Sequence, residues 1–523
     1  MRPRPWQPPM ELSPAEQAIV TRIRRAKLFV FLRRVRHELF ADAFQAELAS
    51  LFHDSPKGQP PVPPAQLALV TLLQAYTGAS DDEAIEALTM DRRWQLVCDC
   101  LDCTEPPLCK ATLVRFRAAL IAHGLDRRLI ERTVELAAQD GGFGPRQLRA
   151  ALDSSPLWGA GRVEDTYNLL GHALRKALSV IARQQGRGLA AVAADAGAEL
   201  VAGSSLKAAL DLDWDDPAAR ERALGMVLET LEAVERWLAE PPGVSEAMKV
   251  TASLQAARQI YAQDVEAADT GSPRLRRGVA RERRISVEDP EMRHGRKSRR
   301  QRIDGYKRHV LRDLDTGLVR AVGVTPANAP EASVTDALMA DLDRQGAQLS
   351  ELHIDRGYLS SRLVRERPPE LAIYCKAWPV RNGGRFPKAA FALDWEAGTI
   401  HCPNEVAIPF KVGSVVHFPA AACAVCPFQV RCTRSAQGRS VSIHPDEQLL
   451  RDLWERQQSP AGRAKLRERV AVEHALAHVG RWQGRRARYR GLRKNLFDVR
   501  RAAVIHNLHV IARVAAATHD LAA

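Results

Sequence analysis

Three acidic residues, Asp153, Asp355 and Glu473, stand where carboxylates can act together. Asp153 follows the apolar run LRAAL, which reads as a buried strand, and precedes small residues and a turn in SSPLWGAG. Leu352 and Ile354 alternate toward Asp355, and Gly357 closes a turn behind it. This aspartate too sits at a strand end, where open sheets usually carry functional groups. Glu473 borders the helical stripe Val472, Leu476, Val479. Any one of these acids alone reads as a turn cap or a surface group. Two aspartates on neighbouring strands and a glutamate on a packed helix can converge on one cleft, and such oxygen ligands suit Mg2+, with Mn2+ tolerated. Two ions about 4 Å apart would activate an attacking oxygen and stabilise a leaving one, as phosphoryl transfer requires.

Basic residues flank these acids. Arg469 lies one helical turn before Glu473. Behind it, Gly480 and Gly484 read as helix stops, and seven of the fourteen residues from 481 to 494 are cationic: Arg481, Arg485, Arg486, Arg488, Arg490, Arg493 and Lys494. Trp482 and Tyr489 interleave with them, and an apolar helix through Val499, Ala503, Val504, Leu508 and Ile511 follows. From Arg274 to Arg308 there are fourteen Lys or Arg against five acids. The centre of that stripe carries Arg296, Lys297, Arg299, Arg300 and Lys307, types and spacing suited to phosphate contacts without base readout, with a solvated linker as the bland alternative. A net charge of +14 and a pI near 9.6 agree with an acidic partner, nucleic acid first.

The chain's 523 residues leave room for several domains. No apolar run reaches the roughly 18 residues of a membrane span. The start, MRPRPWQPPMELSP, lacks the apolar core of a signal peptide. The expected location is therefore cytoplasmic and nucleoid-associated, away from membranes. Nine cysteines fit a reducing compartment. Cys423 and Cys426 form a C-x-x-C, and Cys402 and Cys432 complete four soft ligands of the kind a closed structural Zn2+ site needs; free buried thiols are the alternative. Cys98, Cys100, Cys103 and Cys109 match no familiar zinc spacing.

The elements that must position these groups read as follows. Residues 1–145 form a helical domain, with capping boxes at Ser13 and Ser80, a helix from Pro64 stopped by Gly78, and helices expected over 80–97 and 112–123. Residues 146–185 open the core with the Asp153 strand. Residues 186–290 are a helical insertion without strand signal. Residues 291–375 continue the core: strands Tyr306–Arg312 and Leu318–Val324, a helix from Glu331 to Arg344, the strand before Asp355, a helix from about Ser360 and a strand at Leu371–Cys375. Residues 376–446 are a small zinc-ribbon-like insertion. Residues 447–523 return to helices that bear Glu473 and the basic loop. With both insertions set aside, the order strand, hairpin, helix, strand, helix, strand, helix fits an α/β class, a ribonuclease H-like mixed sheet flanked by helices.

Several motifs together give a resemblance: PAQLALVTLLQAY, ATLVRFRAAL, LDSSPL, DPEMRHGRKS, GYKRHVLRDLDTGLV, HIDRGY, the CP…CAVCP…C segment and ARYRGLRKN…HNL. The chain resembles bacterial insertion-sequence transposases of the DDE type, in the subgroup with a cysteine-bearing insertion before the last acid. The resemblance spans most of the chain. It implies a catalytic triad of Asp153, Asp355 and Glu473, transposon-end binding by the N-terminal helices, and cleavage at terminal inverted repeats followed by strand transfer into double-stranded target DNA. It also implies a homodimer or larger assembly on DNA. Related transposases often place Tyr, Arg and Lys at fixed offsets around the final Glu. Arg469 keeps its offset here, whereas Leu466 and Gly480 stand at the Tyr and Lys positions, with Arg481 adjacent. Two other readings are a ribonuclease H-like nuclease that never joins strands and a relic that only binds DNA.

Overall fold

The computed structural model describes residues 2–522 apart from 55–58, 140–142, 144–146, 240–246, 268–271, 297–299 and 379–382. Its main sheet grows around β1 (Leu148–Trp158), to which the chain adds β2 (Arg293–Arg296), β3 (Arg302–Asp313), β4 (Val319–Pro326), β5 (Leu349–Ile354) and β6 (Ala372–Cys375). β3 runs antiparallel to β1, β2 and β4, while β5 is parallel to β1 and β6 parallel to β5. The order is β4–β3–β1–β5–β6, with β2 sharing the outer edge of β3. A parallel pair needs a long crossover. The helical block, the hairpin and α1 (Thr335–Arg344) lie between β1 and β5 in the chain.

Side chains alternate across β1 and seal both faces. Ala150 and Leu152 point into a core with Leu338, Leu342, Leu449 and Leu453, supplied by α1 and the helix Glu447–Gln458. Ala151 points the other way, into a core shared with α2 (Val470–Gln483) and α3 (Leu492–Ala522). That second core continues without a break into the N-terminal helices, running from Ile23 to Ile511. The N-terminal region thus packs directly on the C-terminal helices. Both expected capping boxes form. The helix expected over 80–97 is interrupted: Asp91 takes an extended conformation and caps a new helix, Arg92–Cys98, by accepting from the Arg93 amide at 2.8 Å.

The helical block has a core of its own, from Tyr167 to Val287. Helix Thr166–Gln184 packs there against Ala247–Asp264, so the block begins before residue 186. It also contains a strand pair, Val265–Ala267 with Pro273–Leu275, although the sequence carries no strand signal there. These strands are only three residues long, too short for an alternation to register, and Arg274 Nε donates across them to Glu266 Oε1 at 3.0 Å. Parts of the basic stripe outside 297–299 are packed rather than solvated. Ile285 and Met292 are buried against Leu157 and Tyr306, and Arg283 pairs with Asp264 at 2.8 Å. In place of a helix from Ser360 there is one turn, Arg362–Arg365. The cysteine-bearing segment folds around Phe391, Ile400, Phe418 and Val441, with a three-stranded and a two-stranded sheet. Among the described residues no helix is long and apolar enough to cross a membrane.

Candidate active site

The register of the sheet sets the first two acids side by side. The parallel pairing of β1 with β5 ends at Leu152 opposite Ile354, so Asp153 and Asp355 are the next residue on each strand. Asp153 lies within β1, which continues to Trp158 on its antiparallel pairing with β3; only the β5 pairing ends there. Its Oδ1 accepts from the Ser154 amide at 2.8 Å, and Asp355 likewise accepts from the Arg356 amide at 2.8 Å, capping a 3-10 turn over Arg356–Tyr358. Glu473 comes from α2, which crosses β1 and β3. Arg469 ties the helix to the strand: Nη1 donates to Asp153 Oδ2 at 2.5 Å and Nη2 to Glu473 Oε1 at 3.0 Å.

All three acids line one open cleft of about 910 Å³. Burial pushes the Asp153 carboxyl above its ordinary value and Asp355 adds to this, against the opposing Ser154 amide and Arg469. For Arg469, burial works against the charge, yet Asp153, Asp355 and Glu473 outweigh it and hold the guanidinium above its usual range. The cleft thus holds adjacent carboxylates whose repulsion a cation can relieve, and Arg469 supplies one such charge. An all-oxygen donor set of this kind fits a hard divalent ion.

A second acidic group, Glu351, His353 and Glu468, has ligand atoms within 4.8 Å of one another. Its charge is already met. Arg149 Nε lies 3.0 Å and Lys465 Nζ 3.0 Å from Glu351, Arg149 also pairs with Glu468, and burial pushes the His353 imidazole toward its neutral form. This is an ion-pair cluster under β5, not an open ligand set.

The basic residues divide into two sets. Arg296, Lys307, Arg481 and Arg485 line the same cleft as the acids. Arg485 also sits 5.5 Å over the Trp158 ring, and Lys307 Nζ donates to the Ala329 carbonyl at 2.9 Å. Arg486 donates to the Gly159 carbonyl at 3.2 Å, Arg488 to that of Trp482 at 3.2 Å, and Arg490 pairs with Glu288. Arg493 is committed elsewhere: its guanidinium pairs with the fully buried Asp126 and donates to the Ile121 carbonyl at 2.8 Å, so it joins the C-terminal helix to the N-terminal region. Arg300 and Lys494 are exposed, and Lys297 and Arg299 fall outside the described residues.

Two cleft residues escaped the sequence reading. Glu331 Oε1 accepts from Ser154 Oγ at 2.7 Å, and its Oε2 lies where a Cβ on Gly357 would stand, 2.0 Å away. Arg308, on β3 opposite Ser155, is buried in the wall. Period-two alternation from Val310, the partner of Asp153, would have put Arg308 on the Asp153 face. Gly480 does not stop the helix; α2 runs on to Gln483, and only Gly484, at φ +91, ends it. A single interior glycine costs a helix only about 1 kcal/mol.

Cys402, Cys423, Cys426 and Cys432 line one cavity in their insertion. Burial raises the Cys432 thiol, and the three other sulfurs raise it further. In the N-terminal region Cys98 and Cys100 are buried, with Cys100 pushed up to about 12 by burial, while Cys103 and Cys109 are exposed.

Three family models match this chain: a Transposase domain (DUF772) over residues 21–119, and two described as Transposase DDE domain, over 262–374 and 402–512. No curated protein and no solved structure matches it. The two DDE matches include Asp355 and Glu473 respectively, and all three together cover more than half of the chain. The chain belongs to the insertion-sequence DDE transposases, polynucleotidyl transferases and endonucleases that act on DNA.

Proposed function

We propose that the cleft between β1, β5 and α2 cuts DNA at the ends of a mobile element and joins the freed 3′ ends to target DNA. The observation that carries this reading is the register that makes Asp153 and Asp355 neighbours, with Arg469 linking Asp153 to Glu473. Asp153 and Asp355 would hold two Mg2+ ions between them, and Glu473 would complete the second site. Bound ions of this kind supply charge to both the attacking and the leaving oxygen of an in-line displacement. The protein's own groups orient the substrate. Arg296, Lys307, Arg481 and Arg485, which line the same cleft, attract the phosphate backbone. Arg469, bonded here to Asp153 and Glu473, would be free to hold a phosphate if those acids took ions instead. In the first step water attacks the scissile phosphorus and the 3′-oxygen leaves as a hydroxyl; in the second that hydroxyl attacks a target phosphodiester and a new P–O bond replaces the broken one.

The sheet order and the helices on both faces support a ribonuclease H-like core. The N-terminal helices, which share a core with the C-terminal helices, would bind the transposon ends beside the cleft, in a dimer or larger assembly on nucleoid DNA. The four cysteines around one cavity support a structural Zn2+ in the insertion. The test incubates the protein with a duplex carrying the element's end, with and without Mg2+. Cleavage and a joined product that both need the ion bear the reading out. Cutting without joining leaves a nuclease, and binding without cutting leaves a DNA-binding relic.

A further inference from the structure

Arg308 is 5 % exposed. Its Nε donates to Ser155 Oγ at 2.8 Å, and its Nη1 donates to Gln483 Oε1 at 2.8 Å and to the Gly484 carbonyl at 3.0 Å. All three acceptors are neutral. Among the described residues no carboxylate forms a direct ion pair with this guanidinium; burial lowers its pKa to about 10 against the more distant charge of Asp498, which leaves it charged at neutral pH. A buried cation with no direct ion-pair partner is costly, and a strongly perturbed group in the wall of a cleft is a candidate for contact with a ligand. The remaining nitrogen, Nη2, has no protein partner among the described residues. It lies against Gly480, 3.0 Å from where a Cβ would stand, and both residues line the acidic cleft. A side chain at 480 would cover this nitrogen; glycine leaves it open.

Position tells what the anion is. Ser155 and Asp153 share one face of β1, two residues or about 6.6 Å apart along the strand. Arg308 holds Ser155 and lies directly opposite it. That offset from Asp153 is about two rises of a nucleic-acid strand at 3.4 Å each. The cations at the mouth, Arg296, Arg481 and Arg485, are exposed and so screened by salt. Arg308 is fixed by three hydrogen bonds and shielded from solvent. It can set register where the others only attract.

We propose that Arg308 anchors a backbone phosphate of the DNA about one or two nucleotides from the bond that is cut, through its free Nη2 amino group. This rests on reading Asp153, Asp355 and Glu473 as the cutting centre. The contact fixes which phosphodiester lies over the acids, so its loss should blur the cut position as well as slow it.

The test pairs Arg308→Gln and Arg308→Lys with duplexes of the element's end in which single phosphates near the cut are replaced, one at a time, by neutral methylphosphonates. Binding is read in Ca2+ and cleavage in Mg2+. For wild type, one neutralised phosphate within about two nucleotides of the cut should weaken binding about tenfold or more, the scale of a charge-assisted hydrogen bond. The same replacement should cost Arg308→Gln nothing further, because the contact is already gone. Arg308→Lys should keep part of the coupling. If Arg308→Gln weakens every duplex alike and the methylphosphonate penalties remain in full, Arg308 is a structural tie and the proposal falls. If Arg308→Gln does not fold, the wild-type scan and Arg308→Lys decide, and a scan without a sensitive phosphate in that window overturns the anchor. A wild type that never cuts overturns the cutting centre instead, while the Ca2+ binding cycle still reads Arg308 independently.

Discussion

Arg469 donates to Asp153 Oδ2 at 2.5 Å, joining residues 316 positions apart in the chain. A cation thus already sits on the carboxylate that is proposed to take a metal. The structure shows Arg469 bonded to two of the three acids, Asp153 and Glu473, while Asp355 accepts from the Arg356 amide. A metal at Asp153 would compete with Arg469 for this carboxylate, and that competition would shape how the site responds to pH and to substitution.

The pH response follows from burial. Asp153 is held above its ordinary carboxyl value of 3.8 by desolvation first, with Asp355 adding to it. The folded chain therefore keeps this proton to higher pH than the unfolded chain does. By linkage, its contribution to stability falls as pH rises from 3.8 through the raised folded value. Metal competes with the same proton, so ion affinity and cleavage should rise through that window. Asp153→Asn should abolish cleavage while leaving stability at pH 7 unchanged or higher, and should flatten the decline of stability above pH 3.8. Urea unfolding across that range, beside wild type, checks it; a less stable Asp153→Asn at neutral pH would show the carboxylate to be structural.

Asp355→Asn and Glu473→Gln keep shape and remove charge. Each is expected to lower Mg2+-dependent cleavage by about 10²-fold or more while leaving DNA affinity within about threefold, because the lost interaction belongs to the transition state. Asp343, exposed on the far end of α1, is the control: Asp343→Asn should cut at the wild-type rate. Wild-type cutting by Asp355→Asn would remove it from the triad.

Much of this site was legible before the structure, for an identifiable reason. Asp153 and Asp355 each follow a short apolar run, and strand periodicity alone places a residue after such a run at an edge or a mouth. Glu473 was visible beside Val472, Leu476 and Val479 through helical spacing. What the sequence could not carry was pairing across distance. Nothing local marks Arg493 as the partner of Asp126, so a run of seven cations read as one phosphate-binding loop. Glu331 and Arg308 were missed for the same reason: one is bonded to Ser154, 177 positions away, and the other to Ser155, 153 positions away. The break at Asp91 was lost because the apolar pattern continues through it, and a side-chain cap decided the matter.

The cysteine insertion makes a separate prediction. Its core is small, and a segment of this size seldom holds a compact form without a staple. Purified protein should contain about one Zn2+ per chain. Cys423→Ser with Cys426→Ser should lose it, and should make residues in this segment open to protease while the sheet stays protected. A metal-free protein whose insertion resists protease equally well would show that Phe391, Ile400 and Phe418 suffice.

The last prediction concerns the joint between the N-terminal helices and the core. Asp126 is fully buried and accepts from two guanidinium groups: Arg493 Nη1 at 2.9 Å and Arg500 Nη1 at 3.1 Å. Arg500 also reaches Asp341 at 3.3 Å, so a buried chain of charges runs from the N-terminal region through α3 to α1. Asp126→Asn leaves two cations facing a neutral amide at a fully buried position. It should cost about 3–5 kcal/mol, the scale of a broken buried pair. Arg493→Ala should cost less, about 1–3 kcal/mol, because Arg493 is 38 % exposed and Arg500 still meets the acid. Arg493 was expected from the sequence to hold DNA, and its pairing with Asp126 makes a different demand. Arg493→Ala should lower stability and leave the salt dependence of DNA binding unchanged, whereas Arg485→Ala should reduce the salt slope by about one ion and leave stability alone. Urea unfolding and binding across a salt series on the two variants separate the roles. A reduced salt slope with full stability in Arg493→Ala would return this residue to the DNA surface.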